Sequence, residues 1–179
     1  RKTKLILALD VAKKKDFIYW VDKTKDLVDF YKVGLVPFTA LGKDSISILK
    51  KDKKKIFLDL KFYDIPNTMI KASLNAARMK VDILDWHLSA GKDCLEKTLA
   101  GFKSQAKKEK LKLPDVIGIT VLTSSANKAN TKQEVIKLAK MGKGVGLSGV
   151  VMSGKEASDA RKKLGDKFKL VCPGVRFEK

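Results

Sequence analysis

The sequence predicts an α/β protein in which parallel strands alternate with helices. Short apolar segments alternate with longer amphipathic segments from one end of the chain to the other, an order typical of repeated βα units. The strand segments are almost continuously apolar, which indicates a sheet covered by helices. Their polar residues lie near their C-terminal ends, the edge at which both (β/α) barrels and open doubly wound sheets build active sites.

Seven segments have the length and composition of strands, and amphipathic segments separate them. The predicted strands are residues 5–11, 30–35, 56–62, 81–88, 115–123, 148–153 and 169–175. The clearest helical patterns cover residues 68–80 and 131–143. Polar residues near the predicted strand ends are Asp10, Lys32, Asp59, Lys61, His87 and Thr123. Because they occur on five strands in turn, we expect a functional site at this edge of the sheet.

The third predicted strand carries opposite charges on one of its two faces. The strand and the loop after it read IFLDLKFYDIPNT, residues 56–68. Asp59 and Lys61 are two residues apart and therefore share a face, whereas the face that runs from Ile56 to Phe62 is entirely apolar. The apolar face is expected to pack on helices. The charged pair would then point into the mouth of the fold.

The charged residues in this segment also have purely structural interpretations. Asp59 and Lys61 could form a satisfied internal salt bridge. Asp64 could cap the following helix, with Pro66 in its first turn. Burying an ion pair rarely improves stability over apolar packing, so the pattern favours a functional role and leaves both structural alternatives open.

Composition and charge narrow the classes of partner. The chain has 179 residues, of which 44% are hydrophobic, enough for one domain with a sizeable core. Its 39 Lys and Arg residues exceed its 20 Asp and Glu residues, and the formal net charge is +19. Such a balance suits an anionic partner, either a phosphorylated small molecule or a nucleic acid.

The sequence predicts a cytoplasmic protein with no metal or organic cofactor. It has no apolar run long enough to span a bilayer, and its N-terminus lacks the hydrophobic region of a signal peptide. Cys94 and Cys172 stand apart, without a CxxC pattern or a nearby His, and are therefore predicted to be reduced thiols rather than metal ligands.

The charged segment resembles the signature of the orotidine 5′-phosphate decarboxylase family, in which Asp-x-Lys-x-x-Asp continues with Ile-Pro-Asn-Thr. The resemblance covers essentially the whole chain. Further motifs follow in the order of the family: ALD ending at Asp10, KVG at Lys32, HLSAG at His87, ITVLTS around Thr123, GVVMS at residues 149–153, and PGVR at Arg176.

The resemblance implies a (β/α)8 TIM barrel that decarboxylates orotidine 5′-phosphate to UMP in de novo pyrimidine biosynthesis, without a cofactor. It implies an array of alternating Lys and Asp side chains around the reacting carbon, with Lys61 protonating the C6 carbanion. The implied catalytic residues are Lys61, Asp59, Asp64 and Lys32, and the implied substrate-binding residues are Asp10, Lys32, Asp59, Thr68, Thr123 and Arg176.

The resemblance also implies a homodimer. Asp64 and Thr68 would reach into the site of the neighbouring subunit. The partners expected are therefore the small-molecule substrate and a second copy of the chain, with no nucleic acid and no membrane.

The chain departs from the pattern of the family in several places. The family ends with an eighth strand carrying a Gly-Arg pair, preceded by a mobile loop with a Gln, and together these bind the phosphate. We expect residues 1–179 to form a single barrel domain that is incomplete at its C-terminus and lacks about the last strand and helix. The segment after Thr123 looks short for the family. Asp85 stands where a Thr or an Asn is usual.

Two other functions remain open at this point. Related barrel enzymes such as 3-keto-L-gulonate 6-phosphate decarboxylase act on sugar phosphates, share Asp-x-Lys-x-x-Asp, but usually continue with Gly and use Mg²⁺. Residues 65–68, Ile-Pro-Asn-Thr, favour the orotidylate enzyme. A basic nucleic-acid-binding protein on an inactive barrel would fit the charge, but the sequence lacks the motifs of such proteins.

His87, the one histidine, is predicted to be a hydrogen-bonded strand-end residue rather than a catalytic one.

Overall fold

Seven parallel strands form one sheet whose spatial order is their order along the chain. The computed structural model describes residues 3–120 and 131–175. The strands are β1 (Ile6–Ala8), β2 (Phe30–Gly34), β3 (Lys55–Phe62), β4 (Ile83–His87), β5 (Asp115–Ile119), β6 (Gly149–Val151) and β7 (Lys169–Val171). All seven predicted strands are confirmed in position, although most are shorter than the apolar segments that predicted them. Residues 121–123 of the fifth predicted strand lie outside the described residues.

Helices connect successive strands, which confirms the predicted α/β class. They are α1 (Lys14–Thr24), α2 (Leu35–Leu41), α3 (Lys43–Lys51), α4 (Pro66–Arg78), α5 (Lys92–Lys108), α6 (Thr131–Val145) and α7 (Ala157–Leu164), with short 3-10 turns at Leu88–Ala90 and Gly154–Glu156. Parallel strands require such crossovers, because consecutive strands must begin at the same edge. The carboxyl ends of all seven strands therefore lie at one edge of the sheet.

The main core lies between the sheet and the helices. Leu58, Leu84 and Trp86 project from β3 and β4 into it and are almost completely buried. The indole Nε1 of Trp86 donates a hydrogen bond to Ser73 Oγ on α4 at 3.0 Å, and its ring meets the ring of Phe102 on α5 edge to face at 6.1 Å. Aromatic packing and a satisfied indole N–H together fix β4 against the two helices that follow β3 and β4.

A second apolar cluster occupies the opposite face of the sheet and shows that the sheet curls. One residue from each strand takes part: Ile6, Phe30, Phe57, Ile83, Ile117, Val151 and Val171. The first and last strands can share one cluster only if the sheet curves around it, as the strands of a barrel do. The charged face of β3 is on this inner side, since Phe57 and Asp59 are two residues apart.

None of the helices formed by residues 3–120 and 131–175 combines the length and the apolar character needed to cross a bilayer. Cys94 and Cys172 are both free thiols and both partly buried.

The pairing of β6 with β7 predicts that an alanine at position 149 will destabilise the sheet. A Cβ on Gly149 would collide with the backbone carbonyl oxygen of Lys169 in the adjacent strand. Backbone in a sheet cannot move aside easily, so we expect Gly149→Ala to lower the free energy of unfolding by about 1–3 kcal/mol in chemical denaturation.

Gly144→Ala is the matched control. Gly144 lies in α6, where a Cβ would meet open space, and alanine is favoured over glycine in a helix by about 1 kcal/mol. The control should be as stable as the wild-type protein or more stable. Equal stability of the two variants would contradict the close approach of β6 and β7.

Candidate active site

Four charged side chains meet at the carboxyl edge of the first three strands, and we call them the charged cluster: Asp10, Lys32, Asp59 and Lys61. The Nζ of Lys32 lies 3.1 Å from Oδ2 of Asp59 and 3.5 Å from Oδ1 of Asp10. The Nζ of Lys61 donates to the other oxygen of Asp59, Oδ1. Asp59 therefore holds one lysine head on each of its carboxylate oxygens.

The charged cluster is buried at Asp59 and open to solvent at Asp10. The side chain of Asp59 is 10% exposed, whereas those of Lys32 and Lys61 are 21% and 36% exposed and that of Asp10 is 59% exposed. Gly34 lies against the cluster, because a Cβ at that position would be 3.2 Å from the Nζ of Lys32. The arrangement presents two ammonium groups to whatever enters the open side.

A bulge in β3 sets the direction of Lys61. Leu58 pairs with Leu84 and Phe62 pairs with Trp86, so β3 has two more residues than β4 between these pairs. Lys61 has a positive φ of 52°, which is uncommon outside glycine, and its backbone N–H donates to Oδ1 of Asp85 at 2.8 Å. Simple strand alternation placed Lys61 on the correct face, but it did not predict the bulge or the hydrogen bond that anchors it.

Asp59 and Asp85 are neighbouring carboxyl groups with opposite tendencies to ionise. Burial raises the pKa of Asp59, but its hydrogen bonding to Asp85 and Lys61 and the charges of Lys32 and Lys61 outweigh burial and lower the pKa below its usual value. Burial raises the pKa of Asp85 well above its usual range, and the adjacent Asp59 raises it further. Asp59 is the ionised member of the pair.

Asp64 and Thr68 lie on the surface, outside the charged cluster of their own chain. Both are exposed, and Asp64 forms no ion pair among the residues that the structure describes. Tyr63 and Ile65, on either side of Asp64, are 62% and 66% exposed. A pair of large apolar side chains beside an exposed carboxylate is unusual for a solvated loop.

The two structural alternatives from the sequence have different outcomes. The internal salt bridge between Asp59 and Lys61 exists, with Lys32 as an additional member. The capping role of Asp64 is wrong: α4 begins at Pro66, its N-cap residue is Ile65, and no side chain caps it. The Oδ1 of Asp64 accepts a hydrogen bond from the N–H of Ile65, which lies before the helix.

His87 is a hydrogen-bonded residue at the end of β4, as predicted. Its Nδ1 lies 3.1 Å from Ser89 Oγ, and its ring is 5.6 Å from the ring of Tyr63. Burial lowers the pKa of His87, and the positive charge of Lys61 lowers it further. His87 therefore lies close enough to the charged cluster for Lys61 to affect its pKa.

Two predicted substrate-binding residues, Thr123 and Arg176, lie outside the described residues.

Among residues 3–120 and 131–175, no group of three or more His, Cys, Asp and Glu side chains is arranged to hold a metal ion. The carboxylates of the charged cluster face ammonium groups instead.

The fold and the site together define a class. A curled parallel sheet with helical crossovers carries its polar residues at the carboxyl edge of the strands, where enzymes of the (β/α)-barrel type build their active sites. Asp59 is buried there between two lysines. Interacting charged groups of this kind are common at the active sites of enzymes.

Comparison with known proteins identifies the family. The family model described as orotidine 5′-phosphate decarboxylase / HUMPS matches residues 3–179. Proteins named orotidine 5′-phosphate decarboxylase from Nostoc sp. and Carboxydothermus hydrogenoformans are 38% and 39% identical to the chain; each match covers 97% of it, and 76% and 75% of the relative. The chain belongs to the orotidine 5′-phosphate decarboxylase / HUMPS family.

A solved structure agrees with this assignment. The crystal structure of orotidine 5′-phosphate decarboxylase from Lactobacillus acidophilus matches with a TM-score of 0.84 at 30% identity, over 98% of this chain and 82% of that chain. An uncharacterised conserved protein from Geobacillus kaustophilus matches with a TM-score of 0.83 at 28% identity, over 94% of this chain and 82% of that chain.

The position of His87 beside Lys61 predicts how the single histidine titrates. We expect its imidazole resonances, followed by NMR, to titrate below the ordinary pKa of histidine, because burial and the Lys61 charge both disfavour the imidazolium form. Lys61→Met removes the charge and keeps the length of the side chain, so the His87 pKa should rise in this variant without becoming fully normal.

Lys55→Met, at the other end of β3, is the control and should leave the His87 titration unchanged. An unchanged His87 titration in Lys61→Met would show that the two side chains are not electrostatically coupled.

Proposed function

We propose that this chain decarboxylates orotidine 5′-phosphate to UMP in de novo pyrimidine biosynthesis. The observation that carries the proposal is the pairing of Asp59 with Lys32 and Lys61 at the open carboxyl edge of the sheet. The relatives that share the family are named for this reaction, which makes them carboxy-lyases.

Lys61 is the proposed acid. When the bond between C6 and the carboxylate breaks, CO2 leaves and its bonding electron pair stays on C6. A fixed ammonium group at that point stabilises the negative charge and then transfers a proton from Nζ to C6. Lys61 regains its proton from solvent, to which its side chain is 36% exposed. Asp59 supports this role by holding Lys61 in place.

Asp59, Lys32 and Asp10 have proposed roles around the reacting carbon. The ionised carboxylate of Asp59 would lie beside the substrate carboxylate and favour its departure, and Lys32 would partly balance the two negative charges. Lys32 and Asp10, on the more open side of the charged cluster, would bind ribose hydroxyl groups. No cofactor is required in this scheme, because Lys61 supplies both the positive charge and the proton.

The remaining predicted residues define a proposed homodimer. Asp64 and Thr68 are proposed to complete the site of the partner subunit, which agrees with their exposure beside the apolar side chains of Tyr63 and Ile65. Thr123, near the pyrimidine, and Arg176 are proposed as further substrate-binding residues. We also propose that the curled sheet is part of an eight-stranded barrel, since one residue from each of its seven strands joins the inner cluster.

The proposed role of Lys61 predicts that Lys61→Ala abolishes the reaction. Removing both the cation and the proton donor should lower kcat by at least about 10³-fold while the circular dichroism spectrum stays that of the wild-type protein. UMP released from orotidine 5′-phosphate by the full-length protein is the measurement. Lys55→Ala, at the start of the same strand, is the control and should keep wild-type turnover.

Near-normal turnover in Lys61→Ala would refute Lys61 as the proton donor. A folded wild-type protein that forms no UMP, but converts a sugar phosphate when Mg²⁺ is added, would refute the proposed reaction itself.

The proposed dimer predicts that two inactive variants restore activity to each other. In a heterodimer of Lys61→Ala and Asp64→Ala subunits, one site contains both defects, and the other contains an intact Lys61 and an intact Asp64. Random exchange makes about half of the dimers mixed, so activity near a quarter of the wild-type value is expected for a symmetric dimer. Differently tagged chains report the extent of exchange. Complete exchange without recovered activity would place Asp64 in the site of its own subunit.

A further inference from the structure

Asp85 is a buried carboxyl group with one oxygen unaccounted for. It is 1% exposed and lies in the middle of β4. Its Oδ1 accepts the hydrogen bond from the backbone N–H of Lys61. Its Oδ2 is buried and has no donor among the residues that the structure describes. A buried carboxylate oxygen without a donor is strongly disfavoured, so the second oxygen requires an explanation.

The neighbour of Asp85 on β3 is Asp59. Leu58 of β3 pairs with Leu84 of β4. Asp59 and Asp85 follow these two residues on their strands, and both lie at the start of the bulge. On the other side Asp85 pairs with Ile117 of β5, whose side chain cannot ionise. The ionisable groups around Asp85 are therefore Asp59 and Lys61 from β3, Lys32 from β2 with Asp10 beyond it, and His87 from β4 itself.

Two adjacent buried carboxyl groups cannot both carry a full negative charge. Asp59 is the one that keeps its charge, because Lys32 and Lys61 each contact one of its oxygens. Asp85 has no lysine head against it; its only donor among the described residues is a backbone N–H. A proton on Asp85 turns the unpaired oxygen from an unsatisfied acceptor into a donor. The neighbouring acceptor is the carboxylate of Asp59, which shares a side-chain hydrogen bond with Asp85.

We propose that Asp85 is a positioning residue that acts as a neutral carboxylic acid, with its protonated Oδ2 donating a hydrogen bond to the carboxylate of Asp59 while its Oδ1 accepts from the N–H of Lys61. One side chain thus holds both Asp59 and the bulge that carries Lys61. The raised pKa of Asp85, caused first by burial and then by Asp59, agrees with this arrangement. Its consequence for turnover rests on the proposed function, whereas the protonation state itself does not.

The proton on Asp85 makes folding stability depend on pH in a defined direction. Between the ordinary aspartate pKa of about 4 and the raised folded-state pKa, Asp85 binds a proton in the folded protein and none in the unfolded chain. Folding then takes up one proton, so the stability contributed by this group is greatest at low pH and falls as pH rises. Asp85→Asn cannot titrate and keeps one donor and one acceptor in the same shape.

The test compares unfolding equilibrium constants of the wild-type protein and Asp85→Asn at equal concentrations from about pH 5 upwards. The ratio of the wild-type constant to the variant constant should rise by about tenfold per pH unit until Asp85 ionises in the folded state. Asp115→Asn is the control, because Asp115 pairs with Lys169 at the amino-terminal ends of the strands, away from the charged cluster. Its ratio should stay level over the same range. A level ratio for Asp85→Asn would overturn the proposal.

Carbon-13 NMR of the wild-type protein provides a measurement that needs no variant. One aspartate Cγ resonance should titrate well above the others, and aspartates that all titrate below about pH 5 would overturn the proposal. In turnover, Asp85→Asn should stay within about threefold of the wild-type kcat, and Asp85→Ala should lose at least about tenfold through misplacement of Lys61. Equal losses in the two variants would overturn the positioning role. If the wild-type protein forms no UMP, the proposed function fails while the stability ratio and the NMR titration still decide the proton on Asp85.

Discussion

The site depends on one carboxylate held between two ammonium groups. Asp59 is the least exposed member of the charged cluster, and each of its oxygens contacts a different lysine. Its negative charge keeps Lys32 and Lys61 close together, although their like charges repel each other. Without Asp59, two lysine heads would lose the group that orients them, and the open edge of the sheet would no longer present a cation at a defined point.

Strand β3 departs from regular geometry at the point where it places Lys61 in the charged cluster. A regular strand would keep its register with β4, but β3 contains two additional residues before Phe62 and gives Lys61 a positive φ. Such a conformation costs of order 1–3 kcal/mol and persists only where the surroundings impose it. Asp85 supplies the compensating hydrogen bond. The apolar clusters on the two faces of the sheet stabilise the fold and offset this local cost.

Much of the fold and part of the site could be predicted, because both follow from short-range patterns. Apolar segments of strand length found all seven strands, and the two-residue spacing of Asp59 and Lys61 placed them on one face. The capping role of Asp64 failed because helix α4 begins two residues later, at Pro66. The bulge could not be predicted, since it arises from the pairing of β3 with β4 rather than from the residues of β3 alone.

The sequence by itself determined the order of strands and helices, the edge at which the polar residues gather, and the motif that identifies the family. These properties are local, because hydrophobic periodicity and residue spacing act within one element. Only the tertiary structure showed that Lys32 contacts both Asp59 and Asp10, that Lys61 is directed by a bulge, and that Asp85 is buried against a second carboxyl group. Contacts between strands determine these features, and charge and burial act through space rather than along the chain.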